Sequence, residues 1–279
     1  MNILKTEKRV AVLSSLVEGN SIRSTVRMTG IAKNTVAKLL IKAGTACSIY
    51  QNRILRNLTC KKIQCDEIWS FCYAKQKNVP VDKRGQFGYG DVWTWVAIDP
   101  DTKLVVSWLV GLRNAEWANI FMKDVASRLA NRVQLTIDGH KTYFEAVDGA
   151  FGADVDYAIL VKLYGQENPG EARYSPPKCI GCQRQELMGK PKPKDISTSM
   201  VERQNLTMRM SMRRFTRLTN AFSKKIQNLE AAVALHFMYY NFVRIHQTLK
   251  VSPAMAAGVT DHLWKISDII KLLENKKSN

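Results

Sequence analysis

Residues 62–73 read Lys-Ile-Gln-Cys-Asp-Glu-Ile-Trp-Ser-Phe-Cys-Tyr, a β-rich composition with two acids in its interior. Aromatic and β-branched residues are enriched in strands, so we predict a first strand here. Segments 91–99 and 103–110 have a similar composition and are separated by an Asp-Pro-Asp turn. Three strands in close succession predict an antiparallel meander.

Helix and strand patterns alternate after the meander. Residues 114–130 carry apolar side chains at helical spacing, 133–137 form a short apolar run, 141–151 are helical again, and 158–164 form a further strand. These periodicities are the main local signal of secondary structure. The order βββαβαβ predicts an α/β fold with one mixed sheet flanked by helices.

The N-terminal residues predict three helices, over 6–17, 21–28 and about 32–43. The second and third are joined by a short turn at Thr29-Gly30, which is typical of a helix-turn-helix DNA-binding domain. A plain helical cap on the main domain is the alternative. The third helix presents polar and basic side chains that we expect to contact DNA, namely Lys33, Asn34, Thr35 and Lys38.

The predicted domain organisation follows from these patterns. We expect a helix-turn-helix domain at 1–45, a linker at 46–60, a catalytic domain at 61–250 and a C-terminal helical segment at 251–279. Within the catalytic domain, five prolines predict an irregular insertion at 165–195. Long helices are expected on both sides of residue 220, over Ser197 to Arg217 and over Phe222 to Val243.

The charge balance points to a class of partner. Lys and Arg number 42 and Asp and Glu 24, giving a net charge of +18 over 279 residues. Such a surplus attracts phosphate groups and predicts a nucleic-acid partner. The sequence lacks both an export signal and an apolar run of membrane-spanning length, so we expect a cytoplasmic protein without a membrane partner.

The six cysteines give little sign of a metal site. Cys179 and Cys182 alone have ligand spacing. A structural zinc site needs four ligands, and the sequence offers no good second pair. We therefore favour two unmetallated thiols over a zinc site.

Three carboxylates stand out by position. Asp66 lies inside a strand, where Asp is disfavoured. Asp138 ends the strand Val133 to Ile137, and ligands often bind at the carboxyl ends of strands in α/β sheets. Glu202 is the single acid in a strongly basic helical region. Each alone could be structural, as a buried Asp, a helix cap or an ion-pair partner.

Together the three acids predict phosphodiester chemistry. An anionic phosphodiester resists attack by an anionic nucleophile, and two divalent cations overcome this by activating the nucleophile and stabilising the leaving oxygen. Carboxylates are the ligands that Mg²⁺ prefers. If the substrate is DNA, three carboxylates from different elements, such as Asp66, Asp138 and Glu202, would suffice to bind two Mg²⁺ or Mn²⁺ ions.

Four segments carry a resemblance to a known family: 65–71 (Cys-Asp-Glu-Ile-Trp-Ser-Phe), 136–141 (Thr-Ile-Asp-Gly-His-Lys), 199–222 and 239–249. The chain resembles DDE transposases of the insertion sequence one family, from about residue 25 to Pro253. The interval of 64 residues from Asp138 to Glu202 is longer than in compact members of the wider superfamily, and insertion 165–195 accounts for it. The zinc-finger-like N-terminus that some members carry is not found.

The resemblance implies a ribonuclease H-like catalytic domain with the three carboxylates as catalytic residues and metal ligands. Asp66 would bridge the metals, and Asp138 and Glu202 would complete the coordination. It further implies cleavage and joining of strands at element ends in a bacterial, nucleoid-associated protein. Two ends must meet, so a homodimer or higher oligomer acting on double-stranded element ends and target DNA is expected. Further DNA-binding candidates follow Glu202, namely Arg209, Arg213 and Arg214.

Two other functions remain open at this point. The protein could be a sequence-specific DNA-binding protein or a transposase remnant that no longer cleaves DNA. A tyrosine recombinase is a further alternative, suggested by Tyr239 and Tyr240 near Arg244 and His246. We disfavour the recombinase because the tyrosines precede the Arg and His and share a helix whose neighbours are apolar. The acid Glu67 competes with Asp66, although strand alternation predicts that it points to the opposite face.

Overall fold

The computed structural model describes residues 4–140, 142–165, 179–216 and 219–274. The six strands of this part of the chain form one mixed sheet. The strands are β1 (Lys62–Cys72), β2 (Gly90–Ile98), β3 (Val105–Gly111), β4 (Val133–Asp138), β5 (Val155–Tyr164) and β6 (Cys179–Met188).

The sheet has the order β3-β2-β1-β4-β5-β6. The meander β1 to β3 is antiparallel, β4 lies parallel to β1, β5 lies parallel to β4, and β6 returns antiparallel to β5. Helices separate the parallel strands, because a parallel connection needs a crossover. The predicted α/β fold, with one mixed sheet flanked by helices, is confirmed.

The insertion at 165–195 was expected to be irregular, and this is wrong for part of it. Residues 179–188 form strand β6, which pairs with β5 along its length. Most of its side chains are exposed, so the sequence lacks the apolar alternation that marks a half-buried strand. Residues 166–178 lie outside the described residues.

Nine α-helices are described around the sheet. They are α1 (Thr6–Val17), α2 (Ile22–Thr29), α3 (Lys33–Ile54), α4 (Ala115–Ala126), α5 (Tyr143–Phe151), α6 (Ser199–Ser211), α7 (Ile226–Met238), α8 (Pro253–Ala256) and α9 (Ile266–Glu274). A single π-type turn at Tyr239–Val243 extends α7. None of these helices is both long and apolar enough to cross a membrane.

Helices α6 and α7 are shorter than predicted. Helix α6 ends at Ser211 and α7 begins only at Ile226. A single-turn 3-10 helix at Arg213–Phe215 follows α6, so the chain has already left the α-helix there. The predicted end of the first helix, Arg217, lies outside the described residues, as does Lys141.

Local signals define the turn between α2 and α3. The Ser21 hydroxyl accepts a hydrogen bond of 3.0 Å from the Ser24 backbone N–H and caps α2. Gly30 follows the helix with φ +67°, a left-handed conformation that glycine adopts without strain. The two helices therefore end and begin close to where the sequence predicts.

The expected linker at 46–60 is helical as far as Ile54 and is to that extent wrong. Helix α3 packs closely on α7, and a Cβ built on Gly44 would lie 2.3–2.6 Å from backbone atoms of Ala231. The buried Gln51 amide also donates a 3.1 Å hydrogen bond to the Ala234 carbonyl. This packing continues the helix past the predicted domain boundary. The N-terminal helices and the sheet share one continuous apolar core.

Candidate active site

Strands β1 and β4 separate next to the first predicted acid. They pair in parallel up to Cys65 and Ile137, and Asp66 follows directly on β1. The carboxylate of Asp66 accepts two hydrogen bonds of 2.8 Å, one from the side-chain amide of Asn205 on α6 and one from the Glu67 backbone N–H. Both contacts fix the orientation of this carboxylate.

Asp138 is the last residue of β4 and reaches the same place. Its Oδ1 accepts a 3.2 Å hydrogen bond from the His140 backbone N–H. One carboxylate oxygen from each of Asp66, Glu67 and Asp138 lies within 4.8 Å of the others. We call these three residues the acidic cluster. Two of the three predicted catalytic acids therefore meet.

Glu67 is the acid that sequence reasoning set aside. It contacts different elements from Asp66, as strand alternation predicts, since its Oε2 accepts a 3.1 Å hydrogen bond from Arg113 Nε. Its side chain is fully buried. Asp138 lies just beyond the last residue pair of β1 and β4, where the two strands separate. The carboxylates of Asp66 and Glu67, on opposite faces of β1, can therefore both approach it. The end of strand pairing was the signal that could have found Glu67.

Arg113 is a second residue that the sequence did not indicate. Its Nη2 lies 3.8 Å from Asp138 Oδ2, and its guanidinium lies 4.7 Å from the centre of the Trp93 ring. Together with its hydrogen bond to Glu67, these contacts place one cation beside two carboxylates of the acidic cluster. The one sequence feature that points to Arg113 is its position just after the end of β3.

The acidic cluster is electrostatically strained. Burial and the negative charges of Asp138 and Glu202 together raise the pKa of Asp66 to about 6, although its two hydrogen bonds lower it. Burial also raises the pKa of Glu67 to about 7, although Tyr143 and Arg113 lower it. Such shifts mean that negative charge is concentrated where solvent screens it poorly. A cation bound here would relieve the repulsion.

The oxygens of the cluster fit a divalent cation. Carboxylate oxygens are hard donors of the type that Mg²⁺ and Mn²⁺ take. A Mg²⁺–oxygen distance of about 2.1 Å places opposite ligands about 4.2 Å apart. The mutual limit of 4.8 Å among the three oxygens is compatible with that spacing.

Glu202, the third predicted acid, lies beside the cluster in a different set of contacts. It is in the first turn of α6, where Lys162 of β5 forms an ion pair with its Oε2 and the Thr198 hydroxyl donates a 2.5 Å hydrogen bond to Oε1. Asn205, three residues further along α6, holds Asp66. Residues three apart share a helix face, so Glu202 faces the same region as Asp66.

The predicted DNA-binding residues occupy two areas. On the first two turns of α3, Lys33, Asn34 and Lys38 are exposed and Thr35 is half-buried. Arg213 is exposed after α6, and Arg209 is half-buried in its last turn. Arg214 differs, because its guanidinium is engaged within the protein.

The cysteine pair and the tyrosines offer no competing centre. Cys179 and Cys182 are exposed on β6 and belong to no group of three possible metal ligands in the described part of the chain. The Tyr239 hydroxyl donates a 2.8 Å hydrogen bond to Glu18, and Tyr240 is buried. Neither tyrosine is placed as a free nucleophile.

Comparisons with known proteins give weak likenesses. No family model and no curated protein matches the chain. Among solved structures, one match is the piggyBac transposase synaptic complex with hairpin DNA, with a TM-score of 0.45 and 9% identity over 100% of this chain and 75% of that one. Another is the Mos1 mariner paired end complex with Mn, with a TM-score of 0.24 and 11% identity over 86% and 79%. Similarity this low carries no weight for the reaction.

Proposed function

We propose that the chain is a DDE-type DNA transposase that cleaves and joins DNA strands by metal-dependent phosphoryl transfer. The observation that carries this proposal is the meeting of Asp66 and Asp138 where β1 and β4 separate, with Glu202 beside them on α6. The net charge of +18 supports a DNA substrate. Membership of the insertion sequence one family remains a prediction from the sequence motifs.

Each acid has a distinct part in this proposal. Asp66 and Asp138 would hold the cations, and Glu202, which pairs with Lys162, would be available as a further ligand once that ion pair opens. The bound cations would activate the attacking water or 3′-hydroxyl and stabilise the leaving oxygen. Asn205 and Arg113 act as positioning residues, because they contact Asp66 and Asp138 through hydrogen bonds and charge.

The DNA is proposed to be held by basic residues away from the acids. Lys33, Asn34, Thr35 and Lys38 would contact an element end from α3, while Arg209 and Arg213 would contact backbone phosphates near α6. Joining two ends to a target requires both ends in one complex, so we propose a homodimer or a larger assembly.

The decisive experiment is a cleavage assay on DNA that carries the sequences flanking the coding region, with Mg²⁺ or Mn²⁺. We expect Asp66→Asn, Asp138→Asn and Glu202→Gln each to lower cleavage by more than about 100-fold, since even outer partners of metal ligands are worth about 10- to 100-fold. DNA binding should persist. Glu145→Gln and Asp148→Asn, which change exposed acids on α5, are matched controls. Cleavage at the wild-type rate in the first three variants would contradict the proposal.

A further inference from the structure

A cavity of about 650 Å³ lies between the N-terminal helices and the segment that joins α6 to α7. Its walls come from the α1–α2 turn, from α3, from residues 211–214 and 219–224 and from α7. This volume falls within the range of about 300–1,000 Å³ that small-molecule sites occupy. The cavity is separate in its lining from the acidic cluster.

The lining is basic and contains no described acid. Five cations from α2, α3 and the connection between α6 and α7 line it, namely Arg23, Lys33, Arg213, Arg214 and Lys224. None of them forms an ion pair with a carboxylate in the part of the chain that the structure describes. We call this the basic cavity. Cations converging without a protein counter-charge favour an anionic ligand.

Arg214 is the most constrained of these cations. Its Nη1 donates hydrogen bonds of 2.7 Å to the Ser223 hydroxyl and to the Asn228 carbonyl. Burial lowers the pKa of Arg214 to about 10, which records the cost of desolvating the guanidinium. Neutral oxygens alone hold this charge, and a bound phosphate would offset the cost.

The deeper wall of the cavity has a different chemistry. His236 is 4% exposed, and neither of its ring nitrogens has a hydrogen-bond partner among the described residues. A neutral imidazole offers one donor and one acceptor. The other side chains nearby are apolar and aromatic: Leu16, Val17, Leu40, Met212, Phe222 and Leu235. A phosphate group alone would leave both this apolar wall and the imidazole unused.

We propose that the basic cavity binds one unstacked nucleotide of a DNA strand. Its phosphate contacts the basic residues, and its base lies against the apolar wall with His236 facing the polar edge of the base. Bases taken out of a stack are held in this way, by hydrogen bonds to the base edge and by apolar or aromatic side chains. This inference rests on the proposed function, because it assumes a DNA substrate.

Photo-cross-linking tests the placement of the base. The full-length protein is irradiated with a single-stranded 12-mer that carries 5-iododeoxyuridine, and the cross-linked peptides are identified by mass spectrometry. We expect adducts at Met212, Phe222 or His236, which line the cavity. Adducts confined to other surfaces, with DNA binding intact, overturn the proposal. Failure to bind DNA at all counts against the proposed function instead.

Two competitors separate a nucleotide site from a phosphate site. Free dTMP at millimolar concentration should reduce the cavity adducts at least fivefold, and inorganic phosphate at the same concentration should reduce them less than twofold. Equal competition by phosphate means that the cavity recognises the phosphate group alone, which overturns the nucleotide proposal.

Variants test the role of His236. His236→Leu keeps an apolar side chain of similar size and should lower the cavity adducts at least fivefold without changing total DNA retention. His262→Leu, at an exposed histidine, should leave them unchanged. If His236→Leu fails to fold, Lys224→Ala at the exposed rim should give a similar decrease. Unchanged adducts in the folded variants contradict the assignment.

Discussion

The acidic cluster and the basic cavity are opposite in charge, and in neither do the described residues balance that charge. The cluster has three carboxylates and one adjacent guanidinium, and the cavity has five cations and no described acid. They differ in how they are built. The cluster joins residues of neighbouring strands, while the cavity joins helices far apart in the sequence. The two candidate sites, one for cations and one for anions, are therefore built from separate elements, as the proposed function requires.

Gly44→Ala tests how much the protein depends on the close packing of α3, which lines the basic cavity, against α7. The added Cβ would meet the Ala231 backbone at 2.3–2.6 Å, so we expect the free energy of unfolding to fall by about 3 kcal/mol. Chemical denaturation measures this. Gly149→Ala in α5 is the matched control, since the nearest atom there is 3.8 Å away and Ala favours a helix by about 1 kcal/mol. If Gly44→Ala failed to destabilise the protein, as expected for the control, the helices would repack freely.

The metal prediction concerns the cluster alone. Mn²⁺ at 100 times its dissociation constant should stabilise the wild-type protein by about 2.7 kcal/mol. The shift should disappear in Asp66→Asn and in Asp138→Asn, because each variant removes a ligand of the cluster. Thermal unfolding with and without Mn²⁺ measures it. The same shift in either variant would place the bound ion elsewhere.

The sequence predicts the acidic cluster better than it predicts the basic cavity. Strands β1 to β5 follow period-two or apolar patterns, so Asp66 and Asp138 could be placed at neighbouring strands from local signals. Strand β6 could not be predicted in this way, because its side chains are mostly exposed and show no apolar alternation. Glu67 and Arg113 depend on where β1 and β4 separate, which only the register reveals.

The packing of α3 on α7 shows why distant contacts escape sequence reasoning. Gly44 lies where the third helix was expected to have ended, and glycine often marks such an end. Its small size instead allows α3 to approach α7, and that packing extends the helix to Ile54. The contact joins residues nearly 190 positions apart, beyond the reach of any local pattern.

A pH prediction addresses the deep wall of the cavity. Burial, followed by the charge of Arg244, lowers the pKa of His236 to about 3 in the folded protein. As pH falls below about 6.5, the unfolded chain takes up a proton at this residue first, so wild-type stability should fall by about 2 kcal/mol between pH 7 and pH 5 from this group.

His236→Leu should lack that part of the pH dependence, while its stability above pH 6.5 reflects packing alone. Urea unfolding of both proteins at several pH values gives the difference. Parallel profiles would show that His236 is protonated or solvated in the native state.

Lys162→Met gives the smallest expected effect and bears on the third acid. Removing the ion pair releases Glu202 toward the cluster, so the apparent affinity for Mn²⁺ should rise about two- to fivefold, since a partly exposed pair is worth about 1 kcal/mol at most. Titration calorimetry measures the affinity, with Lys123→Met on the exposed side of α4 as the charge-matched control. Affinity that changes in neither Lys162→Met nor Glu202→Gln would remove Glu202 from the metal site.

The length of α3 has a mechanical consequence. Its 22 residues make a continuous rod of about 33 Å. The exposed Lys33, Asn34 and Lys38 stand at one tip, and the other half is clamped against α7. A duplex gripped at the tip would be held at a fixed angle to the body of the protein. The folded protein would then fix the orientation of the bound DNA. A torque on the duplex would be transmitted through α3 to the apolar core.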